Sequence, residues 1–228
     1  MYPARCIAEL LQQSAFYSSL TDVQRDRISA DLSYRELEVG AHACTRGLLA
    51  AHWIGVASGV IKIANVSRDG RPTTLTNFSA GCWFGEGSLL KGGAWPYDAV
   101  AVEGSAIALM PLATFDWLLA SSFSFNRFLL DQLNARLGQF VERCEHIRLH
   151  DIDRHVAHCL AELVDPRFNP RVQGTIAMSQ ESLARLAGVS RSVVNRVLQQ
   201  LERDGLVEVA YGSITLLDVD GLRRFSDE

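Results

Sequence analysis

The strongest constraint on the fold lies near the C-terminus. Residues 179–209 read SQESLARLAGVSRSVVNRVLQQLERDGLVEV, and the positions divide into separate physical tasks. Ser179 suits a helix N-cap, and Glu181 suits the first turn, where a carboxylate faces the free backbone N–H groups. Leu183, Leu186 and Ala187 give that helix an inner face, and Ala184 is small where a second helix must pass closely. Gly188 ends the helix, because a tight turn there wants a left-handed residue. Val189 plugs the turn, Ser190 caps the next helix, and Val194, Val197, Leu198 and Leu201 form its buried stripe. Arg191, Ser192, Asn195, Arg196 and Gln199 fall on the opposite face. The pattern predicts a helix-turn-helix whose second helix offers donors and acceptors to the major groove of DNA. Arg grips guanine at two acceptors and Asn pairs with adenine. The following GLVEVAYGSITLLD alternates and turns at Tyr211 and Gly212, as a β-hairpin wing does. A helical hairpin with no nucleic-acid role is the plainer alternative, but here the small, glycine, apolar and cap positions all agree at once.

The chain as a whole carries a formal net charge of −4. That does not exclude DNA, because the field a phosphate feels is local, with a Debye length of ~8 Å at physiological salt. From Arg185 to Arg203 there are four arginines and one acid, Glu202. Candidate DNA contacts are therefore Ser179, Gln180 and Arg185 on the first helix side, and Ser190, Arg191, Ser192, Asn195, Arg196 and Gln199 on the second. Arg185 is the candidate phosphate anchor.

With 228 residues, 48% hydrophobic and 21% charged, the chain exceeds one small domain and falls short of two large ones. No apolar run approaches the ~20 residues of a membrane span. The N-terminal MYPARCIAELLQQSAFY lacks an apolar signal core and a cleavage site, so a cytoplasmic location without membrane attachment is expected. The five cysteines are scattered and never spaced C-x-x-C, which argues against a disulfide framework or a zinc site.

Residues 4–31 carry helical spacing, with Ile7, Leu10 and Leu11 in one stripe, Val23 and Ile28 in another, and a cap signal at Thr21 or Asp22. Over residues 33–110 the texture changes to the short runs HWIGV, VIKIANV, TTLTNF, DAVAV and AIALM, bounded by glycines or by the turn SRDGRP. Many short strands with turn signals predict an antiparallel barrel or jelly roll. Residues 112–149 then read as one long helical segment. Within it Leu130, Leu133, Leu137, Phe140, Cys144 and Ile147 repeat at alternating spacings of 3 and 4, a heptad seam that predicts a symmetric homodimer. Asp151 and Asp153 interrupt the pattern before a further helix with Ile152, Val156, Leu160 and Leu163 on one side, and DPRFNPRVQGT reads as a loop. A jelly roll also suits a cupin-type metal enzyme, a distant alternative, because the β region offers only His42 and His52 as metal-binding histidines. No catalytic or metal site is expected.

In order and spacing, three stretches together resemble the CRP/FNR family of bacterial transcription regulators. SRDGRPTTLTNFSAGCWFGEGSLL resembles the family's β-roll turn and Gly-x-x-x-Gly-Glu signature. NARLGQFVERCEHIRLHDIDRHVAHCL resembles its dimerisation helix and hinge, with Asp151 at the hinge. SRSVVNRVLQQLERDGLV resembles its recognition helix and wing entry. The resemblance implies an α+β chain: an N-terminal antiparallel β-roll of the jelly-roll, cyclic-nucleotide-binding type with flanking helices over 1–120, a dimerisation helix over 121–150, and a winged helix-turn-helix over 151–228. It implies a homodimer, a near-palindromic operator in double-stranded DNA, RNA polymerase as partner, and control by an effector in the β-roll.

The candidate effector pocket comprises Gly85, Glu86, Gly87, Ser88, Tyr97 and Asp98, with Phe140 and Val141 from the dimer helix. In cyclic-AMP-responsive members a short helix and then an Arg-Ser pair follow the Gly-Glu signature and hold the cyclic phosphate. Here Pro96, Tyr97 and Asp98 stand in that place, and an acid there repels a phosphate. Phe140 and Val141 replace the polar groups that meet the adenine. Cyclic AMP is therefore disfavoured, although Lys91 offers a substitute cation and an unconventionally held cyclic nucleotide is the alternative to an unidentified effector. An iron–sulfur cluster is disfavoured because only Cys6 lies in the first forty residues. His146, His150, His155 and His158 read as surface or hinge histidines and not as haem ligands. In the recognition helix Arg191 and Arg196 match two base-reading arginines of the family, and Ser192 replaces the acid that usually reads cytosine.

Overall fold

The structure, a computed structural model, describes residues 2–66, 72–148, 152–165 and 174–227. Most of the SRDGRP turn, the loop after Asp165, Asp151 and His150 lie outside the described residues, as do the side chains of His146 and Ile147. The chain forms two compact units, Met1–Asn65 with Thr76–Asn134, and Val66–Leu75 with Ala135–Glu228.

The first unit opens with helices α1 (Tyr2–Gln13), α2 (Ala15–Ser18) and α3 (Asp22–Asp31). Thr21 caps α3 in a reciprocal box: its hydroxyl accepts from the Gln24 N–H and its own N–H donates to Gln24 Oε1. The box turns Gln24 inward, where its amide donates to the Ser121 carbonyl at 3.1 Å. This corrects the expected stripe of Val23 and Ile28: Ile28 is buried but Val23 is exposed, and Gln24 takes the inner position.

Eight strands follow: β1 (Ser33–Leu37), β2 (His42–Cys44), β3 (His52–Ser58), β4 (Val60–Val66), β5 (Pro72–Ser79), β6 (Trp83–Phe84), then, after helix α4 (Glu86–Leu90), β7 (Asp98–Ala101) and β8 (Ser105–Pro111). They make two four-stranded sheets in the orders β1-β8-β3-β6 and β2-β7-β4-β5, with antiparallel registers such as Ile54 opposite Leu109 and Ile63 opposite Ala99. This is the jelly-roll architecture that the short strands predict. Strand β3 is buried on both faces. Gly55 makes this possible, since a Cβ there would lie within 3 Å of both Leu10 and Trp83. Trp53 and Trp83 stack at 4.5 Å, and Phe16, Phe115 and Phe125 pack around Trp53. Aromatic burial of this kind dominates core energetics.

The expected single helix over 112–149 is two helices, α5 (Leu112–Ser121) and α6 (Phe123–Arg148). Ser122 is extended, with φ −130°, and its hydroxyl accepts from the Phe125 N–H, so it caps the second helix. The break lets Phe115 and Phe125 meet edge to face at 5.6 Å. Along α6 the expected seam is open in the isolated chain: Leu130, Leu137 and Phe140 are 63%, 59% and 64% exposed. Leu133 and Cys144 are half-buried.

The second unit continues with α7 (Ile152–Leu163), β9 (Thr175–Ile176), α8 (Gln180–Ala187), α9 (Arg191–Arg203), β10 (Val207–Ala210), β11 (Ser213–Leu216) and α10 (Val219–Asp227). Val156, Leu160 and Leu163 are buried in its core, but Ile152 is exposed, because it is the first residue of α7 and precedes the packed turns. Strands β10 and β11 form a hairpin, with β9 on the far side of β11.

All five cysteines are free thiols, and Cys44, Cys82 and Cys159 are buried. Burial pushes the Cys44 thiol up to about 12, with Asp98 adding to the effect and the Ala99 backbone and Arg35 opposing it. Since the thiolate is the nucleophile, only ~1 in 10,000 molecules carries it at pH 8. In a timed alkylation read by mass spectrometry, Cys44 is expected to stay unmodified in the folded protein after half-buried Cys6 has reacted, and to react in denaturant. Equal rates for the two in the folded protein would contradict the burial argument.

Candidate nucleic-acid interface

The local chemistry builds the helix pair as its sequence dictates. Ser179 is extended, with φ −80°, and its hydroxyl accepts from the Ser182 N–H at 3.1 Å. Gly188 ends α8 in the left-handed region at φ 68°, and the Val189 N–H returns to the Ala184 carbonyl at 3.0 Å. The Ser190 hydroxyl accepts from the Val193 N–H at 3.3 Å and starts α9. Leu183, Ala184 and Ala187 of α8 meet Val194, Val197, Leu198 and Leu201 of α9 in one core. Leu186 packs at its edge.

Arg191, Ser192, Asn195, Arg196 and Gln199 are all exposed. At 100° per residue, Ser192 and Gln199 fall near the middle of the face opposite the buried stripe, with Asn195 and Arg196 on its two flanks. The flanks have different neighbours. Asn195 Oδ1 accepts from Gln180 Nε2 of α8 at 3.4 Å. Arg196 donates from Nη1 and Nη2 to the two carboxylate oxygens of Asp153 on α7, at 2.8 and 2.6 Å. Those bonds hold the Arg196 guanidinium pKa above its usual value. The expected phosphate anchor, Arg185, is paired with Glu181 one turn earlier on α8. Ser190 and Ser192 share a hydroxyl contact of 2.8 Å. Among the described residues Arg191 makes no side-chain hydrogen bond or ion pair. At the wing tip Tyr211 is fully exposed beside Gly212, whose φ is 76°.

Two partners of this surface escaped the sequence reading. Asp153 lies 43 residues from Arg196, a separation at which no local pattern operates. Glu181 was legible as a first-turn acid but also satisfies the i,i+4 rule with Arg185. The expected excess of positive charge between Arg185 and Arg203 is therefore offset by two carboxylates.

In the β-roll, the expected short helix after the Gly-Glu signature is α4. Gly85 caps it with φ 102°, and a Cβ there would stand 2.5 Å from the Trp95 ring. Trp95 is itself buried, held by backbone bonds between residues 47–50 and 93–95, and Tyr97 packs on it at 5.9 Å. Glu86 is 1% exposed, and Trp53 Nε1 donates to its Oε2 at 3.4 Å. Ser88 is buried and Gly87 half-buried. Asp98 accepts from the Arg46 N–H at 2.9 Å and stands 3.6 Å from His42 Nδ1. Gly85 and Tyr97 are thus brought together through Trp95, which the sequence reading did not single out. Phe140 and Val141 are exposed on α6. Among the described residues no three His, Cys, Asp or Glu side chains gather as a metal needs. No described helix is long and apolar enough to cross a membrane.

A jelly roll followed by a capped helix-turn-helix with a hairpin wing defines a transcription regulator of the β-roll and winged-helix class. Comparison with known proteins agrees: residues 34–122 match the cyclic nucleotide-binding domain model and residues 154–225 match the Crp-like helix-turn-helix domain model. The chain belongs to the CRP/FNR family of bacterial transcription regulators. It is 28% identical to the transcriptional regulator LdrP of Thermus thermophilus over 182 residues, 78% of this chain and 89% of that one. It is also 28% identical over 174 residues to a CRP-like cAMP-activated global transcriptional regulator of Mycobacterium tuberculosis, 74% of this chain and 77% of that one. In fold it is similar to FixK2 of Bradyrhizobium japonicum, with a TM-score of 0.67 at 19% identity over 85% of this chain and 96% of that chain.

Proposed function

We propose that this chain is a sequence-specific regulator that binds a near-palindromic operator as a homodimer and is switched by a small effector sensed in the β-roll. Residues 1–120 serve sensing, 121–150 dimerisation and 151–228 DNA reading. The observation that carries the reading is the exposed face of α9, where Arg191, Ser192, Asn195 and Gln199 project from a helix capped at Ser190 and seated on α8. The match to the cyclic nucleotide-binding domain model supports an effector in the β-roll. Asp98 in the phosphate-holding place, already bonded to the Arg46 backbone, argues that this effector is not cyclic AMP. RNA polymerase is the partner that membership in the family suggests.

Two recognition helices in a symmetric dimer meet successive major grooves about 34 Å apart. Arg191, at the N-terminal end of α9 with no competing partner among the described residues, is the best placed base reader. Arg191→Ala should cost roughly 1–3 kcal/mol per half-site and relax preference at one base pair. Selection of bound duplexes from a random pool tests it. A motif identical to that of the wild type would remove Arg191 from the readout, whatever the change in affinity.

A further inference from the structure

The pair formed by Arg196 and Asp153 has geometry that the reading of α9 does not use. Arg196 stands on the flank of the exposed face that turns toward α7, and Asp153 is the second residue of α7, outside the helix-turn-helix. Both bonds leave from the end of the guanidinium fork, one from each terminal nitrogen. The pair is open to solvent, with side chains 61% and 35% exposed. Ion pairs so exposed contribute little to stability, so its consequence lies in where it holds the guanidinium.

A guanidinium has five N–H donors, and Asp153 takes two. Arg196 Nε makes no hydrogen bond among the described residues. The Nε–H and the adjacent terminal N–H are parallel and form a second two-point edge, the geometry that guanine O6 and N7 accept. An unrestrained arginine at the rim of a recognition helix swings to the nearest phosphate, a contact that carries no sequence information. Asp153 opposes this in two ways. It fixes the direction of the fork, and it places a negative charge where a phosphate would approach.

We propose that Asp153 is a specificity-determining residue: by gripping the end of Arg196 it makes that side chain a base reader and withholds it from the DNA backbone. The proposal rests on the reading of α9 as the helix that enters the groove.

The test uses full-length wild type, Asp153→Asn, Asp153→Glu, Arg196→Ala and the double variant Asp153→Asn with Arg196→Ala. Circular dichroism first establishes that each is folded; Asn keeps the shape of Asp and removes its charge, and Glu keeps the charge. Duplexes are selected from a random pool at low salt. Affinities are then measured for the selected duplex and a scrambled one between about 50 and 200 mM salt, where phosphate contacts show as slope. In Asp153→Asn, binding to the scrambled duplex is expected to tighten and its salt slope to steepen. The ratio of selected to scrambled affinity is expected to fall roughly tenfold, as loss of one two-point base contact implies. Sequence preference disappears at one base pair per half-site, the same pair that Arg196→Ala loses. Adding Asp153→Asn to Arg196→Ala changes the motif no further, and Asp153→Glu retains part of the preference.

Three results overturn the proposal. One is an unchanged motif and ratio in Asp153→Asn. Another is an equal rise in affinity for both duplexes with the motif intact, which makes Asp153 a mere repulsive charge. The third is a motif change by Asp153→Asn that persists without Arg196. A wild type that enriches no motif overturns the DNA-reading assignment of α9 itself, and is distinguished from these by failing before any variant is compared.

Discussion

Leu137→Asp is expected to convert the protein from a dimer into a monomer in sedimentation at about 10 µM, with little change in its circular dichroism. Leu137 lies in the middle of the α6 stripe that Leu130 and Phe140 continue, and all three are exposed in the single chain. Their burial in a second copy removes a contiguous apolar surface from water. Each lost leucine contact is worth about 1.5–3 kcal/mol, and the symmetry of a dimer counts every substitution twice. Even ~4 kcal/mol weakens association about a thousandfold, before the cost of desolvating two unpaired carboxylates is added. Because Leu137 packs on little within its own chain, the monomer's fold should survive. A wild type that sediments as a monomer would sink the dimer proposal; a variant that stays dimeric would move the interface away from Leu137.

The second large effect is expected at Gly85. Alanine there must adopt φ near 102°, a conformation costing an L-residue about 1–3 kcal/mol. Its Cβ would also stand 2.5 Å from the ring of buried Trp95, and overpacking of a filled core costs a further ~1–3 kcal/mol. At roughly 2–4 °C per kcal/mol for a chain of this size, Tm should fall by about 10 °C. The two causes separate in the double variant Gly85→Ala with Trp95→Ala, compared with Trp95→Ala alone. Removing the ring relieves the clash and leaves the backbone strain, so Gly85→Ala should cost less in that background. A Tm for Gly85→Ala within a degree of wild type would show that neither constraint operates.

The parts of the fold legible in the sequence are those whose pattern is local. Strands β3, β4, β5, β7 and β8 announce themselves through apolar runs between turns, and the helix-turn-helix through caps, a left-handed glycine and two stripes that agree. Strands β1, β2 and β6 were not legible. Four of the five residues of SYREL in β1 are exposed, and β6 has only two residues, so each is held by its partner and not by its own pattern. β1 is a strand because β8 pairs with it across seventy residues of chain, Ser33 opposite Leu109 and Leu37 opposite Ser105. The break at Ser122 hid inside an apolar helix because its cause is a single hydroxyl, visible only once Phe125 is seen to need a place beside Phe115. At the candidate site, the exposed residues of α9 were foreseen, but the partners that orient them were not. Asp153 and Trp95 act through space on Arg196 and Gly85, and composition counts Asp153 only as one more acid.

All four tryptophans, Trp53, Trp83, Trp95 and Trp117, belong to the N-terminal unit, and the DNA-reading unit has none. The protein is thereby born with an optical label on one half only. Its ultraviolet emission reports the surroundings of the stacked pair Trp53 and Trp83, and of Trp95 where it covers Gly85. A small molecule entering beside Tyr97 would alter the colour or brightness of that light directly. An operator seated on α9 touches no tryptophan, so any change it produces in the spectrum has been carried through the protein. One unlabelled sample, titrated first with candidate metabolites and then with duplex, can thus hear the sensing half speak separately from the reading half.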